Sequence, residues 1–301
     1  MKSAATAAVR RSAVEAEAAE ALAAAAAAYV EFVAQRRVGF EFIFADDLND
    51  RLLNLFDGRW QRVGRPGYHV NPVDGASIQR PPQIDRATAT EAVDAAVRQH
   101  ADWAKVELDE RKERVSAAVD LMAAHRDLLA LLLVWEIGKP WRLACADVDR
   151  GLDGVRWYVE EIDRQVDGRT PLPGPISNIA SWNYPVSVQV HAELVQALAG
   201  NAVIAKTPSQ GGFHCLTLTH AMMVRAGLPV TLLSGADSKL GDVLISSAGI
   251  GALAFVGGRE RPSRRDLARR PRAAPLPGAG GPQRLGCVGL HPVAAPGPAH
   301  P

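Results

Sequence analysis

Between residues 176 and 256 short apolar runs alternate with helix-length segments, and that rhythm constrains the fold more than any other feature of the chain. The runs cover residues 176–180, 202–205, 230–233 and 252–256, each of strand length. Segments 185–198, 212–226 and 239–247 lie between them and supply crossover helices. Continuously apolar strands joined by helices specify a parallel sheet covered on both faces, so the fold class is α/β. Four strands with three crossovers make half of a doubly wound, Rossmann-like nucleotide-binding sheet.

Upstream the texture is helical. Residues 12–35 are dominated by alanine with Glu15, Glu17, Glu20 and Glu31, a composition of high intrinsic helix preference, and residues 1–50 read as a helical N-terminal extension. Residues 55–60, followed by Asn71, Pro72 and Gly75, read as a short strand and turn. A helical run opens at residues 87–103 and continues through 110–135. In that stretch Val115, Val119, Met122, Leu129 and Leu133 share one face, with Arg111, Glu113 and Arg114 in the first turns. Gly138-Lys139-Pro140 stops it, and residues 144–164 form a further helix that closes at Gly168 and the Pro171, Pro173, Pro175 loop.

Composition excludes several classes of partner. Lys plus Arg number 34 against 33 Asp plus Glu, so no global basic field draws the chain to nucleic acid or an anionic membrane. No run of strongly apolar residues is long enough to span a bilayer, and the acidic N-terminal segment lacks the pattern of a secretion signal, so the expected setting is cytoplasmic. Cys145, Cys215 and Cys287 stand far apart with no ligand spacing, so neither a disulfide framework nor a metal site is expected. His214 and His220, six apart on one helix, face opposite sides of it and read as ordinary helix residues.

The pattern breaks near Glu260. Residues 261–301 hold 9 of the 20 prolines and 7 arginines against a single acid, Asp266, with no helical or strand period. They read as an irregular Pro/Arg-rich tail, which divides the chain into 1–50, a cofactor-binding domain at 51–260, and 261–301.

The strand ends carry the chemistry. The first leads into Ser181-Trp182-Asn183-Tyr184-Pro185, where Pro185 suits an early helical position and Asn183 suits either a helix cap or a ligand contact. The second ends in Lys206, 24 residues after Trp182. A cation there is either a solvated strand end or a group facing the crevice where parallel sheets bind ligands. The third ends in Ser234-Gly235-Ala236, with Gly241 at the start of the next helix. The fourth ends in Phe255-Val256-Gly257-Gly258, where missing side chains let backbone N–H groups approach a phosphate.

Trp-Asn-Tyr-Pro, then Gly-Asn-x-Val-Ile-x-Lys, then Ala-Gly-Leu-Pro, then Ala-Phe-x-Gly, in this order and spacing, resembles the aldehyde dehydrogenase superfamily. Gly58-Arg59-Trp60, Asn71-Pro72 with Gly75, and Glu136-Ile137-Gly138-Lys139-Pro140 are similar to that family's N-terminal segment. The resemblance covers roughly residues 51–260, the cofactor-binding half of a longer family chain. It implies an NAD(P)-dependent oxidoreductase turning a small aldehyde into a carboxylic acid. It further implies that Ile179 and Trp182 line the dinucleotide site, that Lys206 holds the adenosine ribose, and that Gly235, Gly241, Phe255, Gly257 and Gly258 surround the pyrophosphate. Asn183 would donate its amide to the oxyanion formed when a thiolate attacks the aldehyde.

Departures from the family pattern carry consequences. Ser209 stands where NAD-preferring members resemble one another in having glutamate; serine removes a charge that would repel a 2′-phosphate, so NAD and NADP are both open and the reading leans to NADP. Gly258 stands where many members have serine. The family's nucleophilic cysteine and its water-activating glutamate are not matched: Cys287 lies 30 residues after Gly257 with unlike flanks, and Cys145 and Cys215 sit in helices as small apolar residues. The strand through which the family pairs its subunits is not matched either.

A change of reading frame after Glu260 accounts for the tail. Read one nucleotide on, codons for residues 277–283 can decode as Leu-Glu-Leu-Glu-Gly-Leu-Asn, similar to the family's glutamate segment. The next seven permit Ala-Trp-Gly-Val-Trp-Asp-Phe, and the whole resembles the phenylacetate-degradation branch. The chain as written is then expected to lack aldehyde chemistry. The alternatives are a non-catalytic dinucleotide-binding or interaction protein, and a product that barely folds because its sheet is incomplete.

Overall fold

The computed structural model describes residues 52–73, 75 and 77–257. The expected N-terminal helix, Gly258, Cys287 and the 261–301 tail lie outside the described residues.

The elements run β1 (Asn54–Phe56), β2 (Arg59–Gln61), β3 (Arg65–Val70), β4 (Ser77–Gln83), α1 (Arg86–Trp103), α2 (Leu108–Ala124), α3 (Arg126–Ile137), α4 (Trp141–Val166) and β5 (Ile176–Ile179). A π-helical turn (Pro185–Val190) then enters α5 (His191–Leu198), followed by β6 (Val203–Lys206), α6 (Phe213–Arg225), β7 (Val230–Leu233), α7 (Asp237–Ser246) and β8 (Ala252–Phe255). All four expected parallel strands are present, and the fold is α/β with a Rossmann-like sheet.

The sheet has six strands in the order β2-β1-β7-β6-β5-β8. β5 through β8 are parallel, but β1 adds antiparallel to β7 through Leu55 and Leu232, so the sheet is mixed at one edge. Asn54 makes that join polar as well: Oδ1 accepts the Ser234 N–H at 2.7 Å and Nδ2 donates to Pro82 O at 2.8 Å. A one-residue pairing with a partner 177 positions away leaves no local trace in the sequence.

Alternation along the strands splits the core in two. Val203 and Ala205 of β6 and Val230 and Leu232 of β7 pack under α2 to α6, whereas Ile204 and Leu233 point to the opposite face, against Ala89, Ala92, Val93 and Ala96 of α1 and Leu240, Val243 and Leu244 of α7. The result is helix, sheet, helix.

Two expectations need correction. The helical run at 87–135 is three helices, not one. At His125 the imidazole Nδ1 takes the Leu121 carbonyl at 2.9 Å, so the His125 N–H turns to Met122 O and the chain bends between α2 and α3. The turn at Asn71, Pro72 and Gly75 joins an unforeseen hairpin, β3 with β4. β4 contains Pro81 and Pro82, which lie opposite Pro66 where the register shifts between Arg65 and Gly67, an irregularity at which regular ladder bonds are not needed.

Candidate functional site

The chain lays down β5, β6 and β7 in one direction across the sheet, then returns to place β8 on the other side of β5. That reversal between β5 and β8 is a topological switch point. Connections diverge there and leave a crevice at the carboxyl ends of the strands.

The register puts the expected residues along that edge. Ile179 pairs with both Lys206 and Phe255, and Lys206 pairs with Leu233, so one row, Leu233-Lys206-Ile179-Phe255, terminates the four parallel strands. The Val256 N–H donates to Ile179 O at 3.0 Å, holding the β8 exit beside the β5 exit. Trp182 and Asn183, three and four residues beyond Ile179, are exposed, Trp182 by 40%. Ser209, past the end of β6, is exposed.

Lys206 differs from a solvated strand end: it is buried, and Nζ donates to the Thr207 carbonyl at 3.1 Å. Gly235 follows β7 and is shaped by contact. A Cβ there would lie 2.2 Å from Leu240 Cδ1, so the absent side chain is what lets the first turn of α7 close on the strand end. Gly241 faces open space on α7, and a Cβ on Gly257 would meet the Phe255 ring at 2.8 Å.

Asn183 does not cap the helical turn that follows it. Tyr184 holds the cap position, with no side-chain cap bond. The Asn183 Oδ1 instead accepts the Ser181 hydroxyl at 2.6 Å, which leaves Nδ2 without a partner among the described residues and available as a donor.

The sequence reading gave Lys139 as part of a helix stop and Glu136 with Lys139 as part of the family-like segment, and it did not name Asp147. Lys139 Nζ donates to Asn183 O and to Asp147 Oδ2, both at 2.8 Å, and lies 3.7 Å from the centroid of the Tyr184 ring. Asp147 Oδ1 accepts the Ser187 N–H at 2.8 Å. Glu136 is fully buried at the N-terminus of α6, where its carboxylate accepts the backbone N–H groups of His214 and Cys215 at 2.7 and 3.1 Å and contacts His214 Nδ1 at 2.7 Å. Gln189 reaches from the π-helical turn to Lys206 O at 3.4 Å.

Both cysteines among the described residues are free and buried. Burial pushes the Cys215 thiol well up, with the nearby Glu136 carboxylate adding to the shift, and burial likewise raises Cys145 against the pull of Arg126. Neither has the exposure or the lowered pKa of a nucleophile. No group of three or more His, Cys, Asp or Glu among the described residues could hold a metal ion, and no described helix is long and apolar enough to cross a membrane.

A profile described as the aldehyde dehydrogenase family matches residues 63–264. The chain belongs to the aldehyde dehydrogenase family. A similar family member is a non-phosphorylating aspartate-semialdehyde dehydrogenase of Halomonas elongata, 30% identical over 219 residues, which are 67% of this chain and 44% of the relative. Another is an NADP-dependent glyceraldehyde-3-phosphate dehydrogenase of Apium graveolens, 28% identical over 243 residues, covering 72% of this chain and 49% of that one. The chain spans about half the length of the curated relatives it matches. Among solved aldehyde dehydrogenase folds, the NADP-dependent glyceraldehyde-3-phosphate dehydrogenase of Bacillus halodurans complexed with NADP superposes with a TM-score of 0.62 at 24% identity, covering 69% of this chain and 48% of that chain. The 1-pyrroline-5-carboxylate dehydrogenase from Thermus with bound NAD gives 0.61 at 23%, covering 73% and 46%. At those identities the likeness shows the fold.

Proposed function

We propose that residues 52–257 are the dinucleotide-binding half of an NAD(P)-dependent aldehyde dehydrogenase, a family enzyme that oxidises an aldehyde to a carboxylic acid. The observation that carries this reading is the row of Ile179, Lys206 and Phe255 at the switch point, with the free Asn183 amide on the adjoining loop. The strand-end residues suit such a ligand. Gly235 admits close approach of α7, Lys206 brings the one cation of the row, and the buried hydroxyls of Thr207 and Ser234, each just past a strand end, have no hydrogen-bond partner among the described residues. NAD(P), when bound, would supply the hydride acceptor.

The chain's own residues would then divide the work. Ile179 and Trp182 line the dinucleotide site, Lys206 and Ser209 face the adenosine ribose, and Gly235, Gly241, Phe255, Gly257 and Gly258 surround the pyrophosphate. Asn183 Nδ2 donates to the carbonyl oxygen as charge develops on it, a contribution of about 3 kcal/mol for a single aligned donor in a dry site. NADP is favoured over NAD because Ser209 sets no carboxylate against a 2′-phosphate. The Apium and Bacillus relatives are NADP-dependent, which supports the same preference.

Aldehyde oxidation also needs a thiolate and a base. With Cys145 and Cys215 buried and raised in pKa, this chain binds the dinucleotide without oxidising an aldehyde. Those two thiols equally favour a second reading, a non-catalytic dinucleotide-binding protein. The composition after Glu260 supports a shifted reading frame, and the gene decides between the two. A second frame that continues into a cysteine-bearing domain marks a damaged enzyme gene, whereas no such frame leaves the binding protein. Titrating the chain with NADPH and following energy transfer from tryptophan to the nicotinamide tests the binding claim itself. Saturable binding lost in Lys206→Ala is expected, and no binding to the wild-type chain overturns the reading.

A further inference from the structure

The loop from Ser181 to Tyr184 displays Trp182 and Asn183 at the switch point, yet Tyr184 at the cap position of the π-helical turn behind it makes no side-chain cap bond. Its support comes from the other side of the sheet edge, from Lys139 just after α3 and Asp147 in the second turn of α4. The two side chains are 7% and 0% exposed and pair at 2.8 Å. Each also reaches the loop: Lys139 Nζ holds the carbonyl of Asn183, and Asp147 Oδ1 holds the N–H of Ser187. One ion pair therefore grips the segment 183–187 at both ends, and the ammonium rests on the face of Tyr184 between them.

A buried ion pair is a poor source of stability, because the cost of removing two charges from water offsets most of their attraction and apolar residues of the same volume serve as well. What such a pair gives and an apolar pair cannot is direction, since each bond ends on one fixed atom. Ser181 orients the Asn183 amide through Oδ1, but the backbone from which that amide hangs is fixed by Lys139.

We infer that Lys139 and Asp147 are positioning residues for the oxyanion donor, setting the backbone of residues 183–187 so that Asn183 and Trp182 are held at the mouth of the crevice. The inference rests on the reading of Asn183 as that donor and goes beyond it by naming what aims it.

The test uses the full chain. Lys139→Met combined with Asp147→Asn removes both charges together, so neither is left buried alone, and Asn keeps an oxygen for Ser187. Hydrogen exchange read by mass spectrometry should show amides of 183–188 exchanging about tenfold faster, the size of one charge-assisted bond, with β6 unchanged. NADPH affinity should weaken several-fold through Trp182. Lys139→Arg, which retains the cation and its donors, should recover most of the protection. Equal exchange of 183–188 in wild type and double variant overturns the inference, since a pair serving only the core would leave the loop as it is. If the double variant does not fold, native-state exchange of the wild-type chain decides. The Ser187 amide should open together with the amides flanking Asp147, and an independent, faster opening overturns the inference. Failure of the wild-type chain to bind NADPH counts against the proposed function and leaves the exchange result standing.

Discussion

Glu193 Oε2 and His220 Nε2 face each other at 3.2 Å between α5 and α6, and neither side chain reaches solvent. The contact is off the line of a hydrogen bond, so both Glu193 oxygens and His220 Nε2 are left without a hydrogen-bond partner. The tautomer follows from the other ring nitrogen. His220 Nδ1 lies 2.8 Å from Leu216 O, and a carbonyl only accepts, so Nδ1 carries the proton and Nε2 of the neutral ring is a bare acceptor. One further proton between Nε2 and the carboxyl group makes the pair compatible. Burial pushes Glu193 up to about 8, and pushes His220 down to about 4 against the Leu216 contact, so that proton resides on Glu193.

The stability of the chain should therefore depend on pH in a definite way. In the unfolded chain the two groups titrate near 4.5 and 6.5. Between those values the unfolded pair and the folded pair each hold one proton, and the two slopes cancel. Above 6.5 the folded state still holds a proton that the unfolded state has released, so stability falls as pH rises toward 8, by on the order of 2 kcal/mol. Below 4.5 the unfolded state holds two protons against one, and stability falls as pH drops through 4. Urea midpoints across this range should trace that plateau. Glu193→Gln, which fixes the neutral form, should abolish the alkaline arm and extend the acid one upward to about pH 6.5, because His220 then titrates alone and nothing cancels its slope across the former plateau; an unchanged alkaline arm would mean that Glu193 is ionised in the fold.

Glu136 is a second buried acid, and it faces donors where Glu193 does not. Its carboxyl oxygens accept the backbone N–H groups of His214 and Cys215 and contact the His214 ring at the start of α6, where the first N–H groups of a helix have no partner within it. Glu136→Gln retains the shape but replaces one acceptor with a donor facing N–H groups. The loss should be about 2–3 kcal/mol in urea denaturation, the cost of a buried charged hydrogen bond removed from one side. A loss below about 0.5 kcal/mol would show that solvent, and not Glu136, satisfies that helix end.

The four parallel strands and their crossovers were legible because buried strands are continuous apolar runs, and because Asn183, Lys206 and Gly235 stand at their carboxyl ends, where a sheet of this kind presents ligand contacts. The hairpin of β3 and β4 was hidden by Pro81 and Pro82, which argue against a strand unless the register is known to break where they sit. The break at His125 depends on one imidazole choosing its own helix's carbonyl, a competition that apolar periodicity does not encode. In the sequence Lys139 belongs to a helix stop, Glu136 to the family-like segment and Asp147 to a helical run, and none of these shows what the side chain holds. Only the fold sets them against partners 40 to 79 residues away and makes them supports of the site loop and of α6.

Gly235 makes a steric prediction. A methyl group added there would sit 2.2 Å from Leu240 Cδ1, and Leu240 is fully buried, so the side chain has little room to retreat and α7 has to move. Gly235→Ala should cost about 1–3 kcal/mol, the range for overpacking in a filled core. It should also weaken NADPH binding more than the stability loss accounts for, because the displaced turn of α7 borders the crevice. Pairing it with Leu240→Ala, which opens the space, should recover NADPH affinity. No recovery in the double variant would mean that the contact with Leu240 is not what sets the strand end.

Ser209 makes a prediction about the cofactor. It is exposed three residues after Lys206, beyond the carboxyl end of β6, where the ribose of the adenosine half is proposed to lie. A carboxylate at this place would stand near a 2′-phosphate carrying charge of the same sign, while leaving an unphosphorylated ribose free to bond with it. Ser209→Glu should then weaken NADP binding about fivefold relative to NAD, the scale of one like-charge pair at a hydrated surface, and the difference should shrink as salt is raised from low to physiological strength. Calorimetric titration of both dinucleotides against both proteins at two salt concentrations measures it. Equal responses of NAD and NADP would place the ribose away from Ser209, and the assignment of Lys206 to the ribose would fall with it, since both residues are fixed to the same strand end.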